Sequence, residues 1–328
     1  MDVPAIFYIG FVAFVIAMLL IDLKLFHAEE HEPSIKESAT WVCIWVGLAI
    51  LFGIGVLVWQ GPRFGGEYFA GYLIEYSLSV DNMFVFVVIF SYFNVPLAYQ
   101  HQVLFFGILG AIIFRGLFIW AGTALIANFH WVIYVFGAFL IYTAYRIARG
   151  QAENIHPENN PVLNFARRVF PTTHSFDGQK LFTVENGTRL ATPLFIVLIF
   201  IETTDIFFAV DSIPAIFGIT REPFIVLTSN VFAILGLRAL YFLLAGGMDR
   251  LHLLNYGLAI VLAFVGVKML LTGVPCESGM FCDPHAHHVE IPIWFSLGFI
   301  VLVLGITTIL SFKIPPKEQK QVSEAGEA

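Results

Sequence analysis

Between Ile199 and Phe217 the chain is apolar at most positions, yet it carries three carboxylates, Glu202, Asp205 and Asp211. A carboxylate at bilayer depth costs roughly 2.5–3.5 kcal/mol on insertion scales, so three in one segment need a partner that offsets the cost. A cation is the obvious one. An earlier run, Gly71 to Phe84, repeats the pattern with Glu75 and Asp81. Aligning Asp81-Asn82 with Asp211-Ser212 also pairs Glu75 with Asp205, because each carboxylate pair is six residues apart. The two stretches read as copies, and duplication at matching positions is hard to explain by packing.

The rest of the chain supplies a membrane context. It is 58% hydrophobic and 16% aromatic, with only 12% charged residues and a mean hydropathy of +0.82. Globular domains carry about 25% charged residues, so the composition predicts an all-α, polytopic membrane protein. Apolar runs long enough to cross a bilayer fall at about 4–26, 38–60, 67–92, 101–126, 130–149, 191–219, 223–246, 252–273 and 291–313, which gives nine spans. The first run has no basic residue before it and no small-x-small cleavage pattern after it, and reads as a retained helix. Walker A, GxGxxG, GxSxG and HExxH patterns are all missing from the sequence, so nothing points to ATP hydrolysis, an organic cofactor, a nucleic-acid partner or an enzyme.

Orientation follows from the basic residues. With the N-terminus outside, twelve of the 17 lysines and arginines face inward, and only Arg63 and Arg221 face outward. The expectation is N-out, C-in. The polar stretch 150–190 then becomes an inner linker, read as a solvated connection with at most one surface helix, and it divides the core in two. Similarity continues across that divide. Phe114-Arg115-Gly-Leu-Phe118 answers Leu237-Arg238-Ala-Leu-Tyr241, and Tyr134 with Arg146 answers Tyr256 with Lys268. The units are therefore 67–149 and 191–273, each of three spans. An odd number of spans inverts the second copy relative to the first, and inverted repeats place a substrate site at their interface near the midplane. Residues 1–66, with two spans, and 291–328, with the last span and an inner tail, are peripheral in this reading.

The acids set the chemistry. Glu202 and Asp205 share a helix face, as do Asp205 and Ser212, whereas Asp81 and Asp211 are turned by about 120° from their partners on a continuous helix. A single site is easier to build if the second helix opens at Pro214, with a matching opening near Ser77–Asn82 in the first. Carboxylates with Asn82 and Ser212 form a hard, oxygen-only set suited to Mn²⁺, Mg²⁺ or Ca²⁺. Five acids around one dication leave excess negative charge, so Arg115, Arg238 and Lys268 become candidates for charge balance or proton coupling, and equally for ion pairs that lock helices together. The loop 274–290 adds Asp283, His285, His287 and His288, either an accessory metal loop or a solvated connection. Cys276 and Cys282 in that loop can close a disulfide if it faces an oxidising compartment.

The motif pair Glu75-Tyr-Ser-Leu-Ser-Val-Asp-Asn82 and Asp205-Ile-Phe-Phe-Ala-Val-Asp-Ser-Ile-Pro214 resembles the signature of the TerC family, and the whole chain resembles its Alx subgroup, including the run Phe224 to Arg238. The resemblance implies a bacterial inner-membrane protein named for tellurium resistance, associated with Mn²⁺ export and related in fold to the lysine-exporter superfamily. It implies that Glu75, Asp81, Asn82, Glu202, Asp205, Asp211 and Ser212 are metal-site residues. The partners expected are the metal and the bilayer, with a homo-oligomer left open. A Ca²⁺ exchanger, or a metal-sensing scaffold that recruits cytosolic stress proteins through residues 150–190, are the alternative readings.

Overall fold

A computed structural model describes residues 3–26, 34–129, 131–149, 168–173, 175–185, 187–244, 253–271, 289 and 291–314. Each of the nine apolar runs contains helix: α1 (Ala5–Phe26), α2 (Ile35–Gln60), α3 (Pro62–Tyr92), α4 (Leu97–Asn128), α5 (Val132–Ala148), α6 (Pro193–Phe217), α7 (Pro223–Leu235) with α8 (Leu237–Leu244), α9 (Leu254–Leu271) and α10 (Ile293–Lys313). Among the described residues, seven helical segments are long and apolar enough to cross a membrane, with α7 and α8 counted as one; α1 and α5 hold shorter apolar stretches. At 1.5 Å per residue the 17 residues of α5 reach about 25 Å, a little short of a ~30 Å hydrocarbon core.

Two boundaries differ from the sequence reading. The third helix begins at Pro62 rather than near 67, because only Gly61 separates it from α2; that glycine has φ +92, and its N–H closes α2 on the Leu57 carbonyl at 3.0 Å. A left-handed glycine followed by proline at N1 stops one helix and starts the next within a single residue. The connection at 150–190, expected to hold at most one surface helix, contains strand. Its described part contains an antiparallel hairpin, β1 (Phe182–Glu185) with β2 (Thr188–Ala191), in register Phe182↔Ala191 to Glu185↔Thr188. Beside it the Asp177 carboxyl accepts from Thr183 (2.8 Å) and Lys180 (3.0 Å), which hold it below the usual carboxylate range.

The expected helix openings are not found. The sixth helix runs unbroken from Pro193 to Phe217 with Pro214 inside it, and α3 runs unbroken through Ser77–Asn82. Pro214 lies in the final turn, so its missing N–H frees only the Val210 carbonyl, four residues back, just before the helix ends.

Packing follows a regular pattern. The helices α5 and α9 make the most extensive pair, α3 packs on α7 as α4 packs on α6, and α3 also meets α6. At the α5–α9 seam the backbones touch: a Cβ on Gly266 would stand 2.7 Å from the Gly137 carbonyl oxygen, and one on Gly137 would stand 2.9 Å from that of Gly266. Small residues allow this approach where lipid gives no hydrophobic drive to association. Almost all of α7–α8 is buried, whereas α2 and α10 leave most of their apolar surface exposed. The first helix packs through rings, with Tyr8 against Phe224 at 5.1 Å and Phe11 against Phe232 at 5.8 Å, and through the buried Val15 and Leu19.

Candidate functional site

The third, fourth and sixth helices bring their charged side chains to one point. Arg115 of α4 is 1% exposed, and its guanidinium pairs with Glu75 of α3 through Nη1 and with Asp205 of α6 through Nη2 (3.0 Å) and Nε (3.3 Å). Nη1 also donates to Ser212 Oγ at 3.2 Å. The two hydrogen bonds to Asp205 form the parallel fork that suits a planar guanidinium. Glu75, 0% exposed, accepts in addition from Ser79 Oγ at 3.4 Å and, through Oε2, from Asn230 Nδ2 of α7 at 3.0 Å. Helical spacing explains the set: Glu75 and Ser79 are four apart and Asp205 and Ser212 seven apart, so each pair projects from one face. The whole cluster is dry enough that its formal charge, two carboxylates against one guanidinium, must be met by these contacts.

Of the residues expected at a metal site, Glu75, Asp205 and Ser212 therefore meet, and Arg115 is the basic residue between them. Asn82 is buried on α3, three residues beyond Ser79. Glu202 is placed apart. Its carboxylate lies against α4 at Gly110, where any Cβ would collide with it, and its Oε2 is buried with no hydrogen-bond partner among the described residues. Asp81 and Asp211 are positions on α3 and α6, six residues and about 9 Å of rise beyond Glu75 and Asp205, with side chains outside the described residues. Because both helices are continuous, positions 81 and 211 are turned by about 120° about their helix axes from Glu75 and Asp205. Arg238, on α8 and buried, shares with Asp205 the wall of a largely apolar cavity that includes Met83, Phe86, Ile108 and Ile234. Lys268 stands in the last turn of α9. Asp283, His285, His287, His288, Cys276 and Cys282 lie outside the described residues. Among the described residues no group of three His, Cys, Asp or Glu is close enough to hold a metal by itself.

Asn230 was not singled out from the sequence, although a polar Thr228-Ser229-Asn230 step inside an apolar run was the available signal. It is 0% exposed, and its Oδ1 is a buried acceptor with no partner among the described residues. Such atoms are rare in folded proteins and ask for an explanation.

The model of the integral membrane protein TerC family matches residues 60–320. The chain belongs to the TerC family. Its relatives are long matches: the uncharacterized membrane protein STKORF319 of Myxococcus xanthus is 49% identical over 302 residues, covering 92% of this chain and 90% of that one. The Alx protein of Escherichia coli (strain K12), provisionally named a membrane-bound redox modulator, is 42% identical over 322 residues, 95% of this chain and 96% of its own. The chloroplastic thylakoid membrane protein TERC of Arabidopsis thaliana is 44% identical over 282 residues, 86% of this chain and 70% of its own. No solved structure matches. The TerC resemblance carried by the two acidic motifs is thereby confirmed, and this member is a multi-pass integral membrane protein.

Proposed function

We propose that this protein exports a divalent metal cation, Mn²⁺ foremost, through the buried acidic site between units 67–149 and 191–273, in exchange for protons, in a bacterial inner membrane. The observation that carries the reading is the meeting of Glu75 and Asp205, matching acids of two copied motifs, on a single buried cationic group. Duplicated acids that converge on one positive charge form a cation-binding geometry, whereas a structural ion pair needs no duplication. The donor set supports a hard dication: besides the carboxylates it offers the hydroxyls of Ser79 and Ser212 and the Oδ1 of Asn230, which has no partner among the described residues, all oxygen. The packing supports an inverted relation between the units. Exchanging them turns the α3–α7 contact into the α6–α4 contact and returns α5–α9 to itself, as a two-fold axis requires.

Purified protein in sealed proteoliposomes is expected to move Mn²⁺, faster with an opposing pH gradient, and Ca²⁺ competition ranks the dications. Absence of flux for Mn²⁺ and Ca²⁺ alike would overturn the reading. Asp81→Asn and Asp211→Asn should each abolish export while leaving the metal-free protein equally or more thermostable, since one of several like charges carried by two apolar helices is removed. Losing one charged ligand should weaken Mn²⁺ binding by about tenfold to a hundredfold. A variant that keeps the full Mn²⁺-induced stabilisation of the wild type shows that its residue is not a ligand.

The same reading puts the N-terminus in the periplasm and the C-terminus in the cytoplasm. Cysteines introduced at positions 160 and 285 should label from opposite sides of the membrane, the first from the cytoplasm. Labelling from one side would sink the inverted arrangement.

A further inference from the structure

We infer that Arg115 is a tethered substitute for the transported cation: its guanidinium and the metal hold Glu75 and Asp205 in turn, and Glu202 receives the arginine when the metal displaces it. The inference rests on the transport reading and deepens it.

The geometry of the occupied site is the first argument. One guanidinium engages both duplicated acids and the Ser212 hydroxyl, so it fills the place where a cation bound to that pair would sit. With Arg115 in place the pair carries a formal net charge of −1; with a dication instead, it is neutral. Both cations together would leave the pocket positive and place like charges side by side in a low dielectric, which makes the two states exclusive. A buried ligand pair that never stands empty avoids the cost of two uncompensated carboxylates between transport cycles.

The second argument is that a landing place exists. On α6, Glu202 lies one turn before Asp205 and on the same face, so the step from one to the other is about 5 Å. Its carboxylate rests on α4 at Gly110, five residues before Arg115, and its Oε2 is buried without a partner among the described residues. Helical side chains lean toward the N-terminus of their helix, which directs Arg115 over residues 111–114, the turn that follows Gly110. Glycine at 110 is what allows the carboxylate to come so near the α4 backbone. Once the arginine has left, Asn230 Oδ1 stands beside Glu75 as a neutral oxygen for the metal. In this scheme Glu202 assists binding without touching the metal.

A thermodynamic cycle on detergent-purified, full-length protein with Mn²⁺ alone, read by isothermal titration calorimetry, tests the scheme. If Arg115 holds the acid pair nine-tenths of the time, Arg115→Gln tightens Mn²⁺ binding about tenfold. Arg115→Lys keeps the charge and the fold but loses the fork to Asp205, and should tighten binding by a smaller factor. Glu202→Gln disrupts no hydrogen bond among the described residues and should weaken Mn²⁺ binding about fivefold in the wild type, but by less than about twofold in the Arg115→Gln background, because the coupling runs through the arginine. Equal weakening in both backgrounds would make Glu202 a direct ligand and overturn its role as receiver. Unchanged or weaker Mn²⁺ binding in both Arg115 variants would overturn the substitute itself and leave a structural pair. A wild type that binds neither Mn²⁺ nor Ca²⁺ would overturn the transport reading and the substitute together.

Discussion

Arg115→Leu is expected to lower the unfolding free energy of the metal-free protein by about 3–5 kcal/mol, the range found when one partner of a buried ion pair is removed. Glu75 would keep its hydrogen bonds from Ser79 and Asn230, but Asp205 would lose both arms of its fork, and no cation would separate the two acids. Denaturant titration in detergent micelles measures the loss. Removing the acids as well, in the triple variant Arg115→Leu, Glu75→Gln, Asp205→Asn, should recover most of the stability, because a neutral cluster of similar volume has no charge to compensate. Failure of the triple variant to recover would mean that the cluster stabilises through shape rather than charge.

The second large effect is expected at the α5–α9 seam. A valine at 266 would bring its Cβ to 2.7 Å from the Gly137 oxygen and 2.9 Å from Ile141 Cγ1, and the first of these is backbone, which can yield only by moving a helix. Overpacking of this kind costs typically about 1–3 kcal/mol, and here it also separates the two most extensively paired helices. Gly266→Val should therefore lower the thermal midpoint markedly. Gly55→Val, on an α2 face with open space around it, serves as the control and should leave the midpoint nearly unchanged. Equal shifts at the two positions would remove the special standing of the seam.

What could be read from the sequence was what repeats or what is long. The helical core was visible as nine apolar runs, each of which contains helix, and the equivalence of Glu75 with Asp205 was visible because six-residue spacing to a second acid recurs in both halves. Facing was not legible. The fourth helix is apolar on nearly every side, so a 3.6-residue period has no polar stripe to act on, and three basic residues remained equal candidates until Arg115 was found between the acids. Glu202 was grouped with Asp205 because they share a helix face, yet one turn of separation brings it against Gly110 instead. Pro214 suggests a break, although a proline in the final turn removes only the one hydrogen bond to the Val210 carbonyl and leaves the helix continuous to Phe217. The hairpin was readable and missed: Asn186-Gly187 between Phe182-Thr183-Val184-Glu185 and Thr188-Arg189-Leu190-Ala191 is a strong two-residue turn signal, and Gly187 has φ +77.

The backbone contact between Gly137 and Gly266 has a mechanical consequence. Most helix pairs are separated by a layer of side chains whose rotamers let one helix slide past the other in small steps. At the Gly137–Gly266 contact backbone meets backbone, with Ile141 and Leu270 packed directly beside it, so axial sliding would drive carbonyl oxygens into the facing helix whereas tilting about the contact would not. Such a seam would serve as a fulcrum. A rearrangement that exposes the Arg115 cluster to either side of the membrane would then swing α3 and α4 against α6 and α7 about that fixed point, with displacement growing with distance from it.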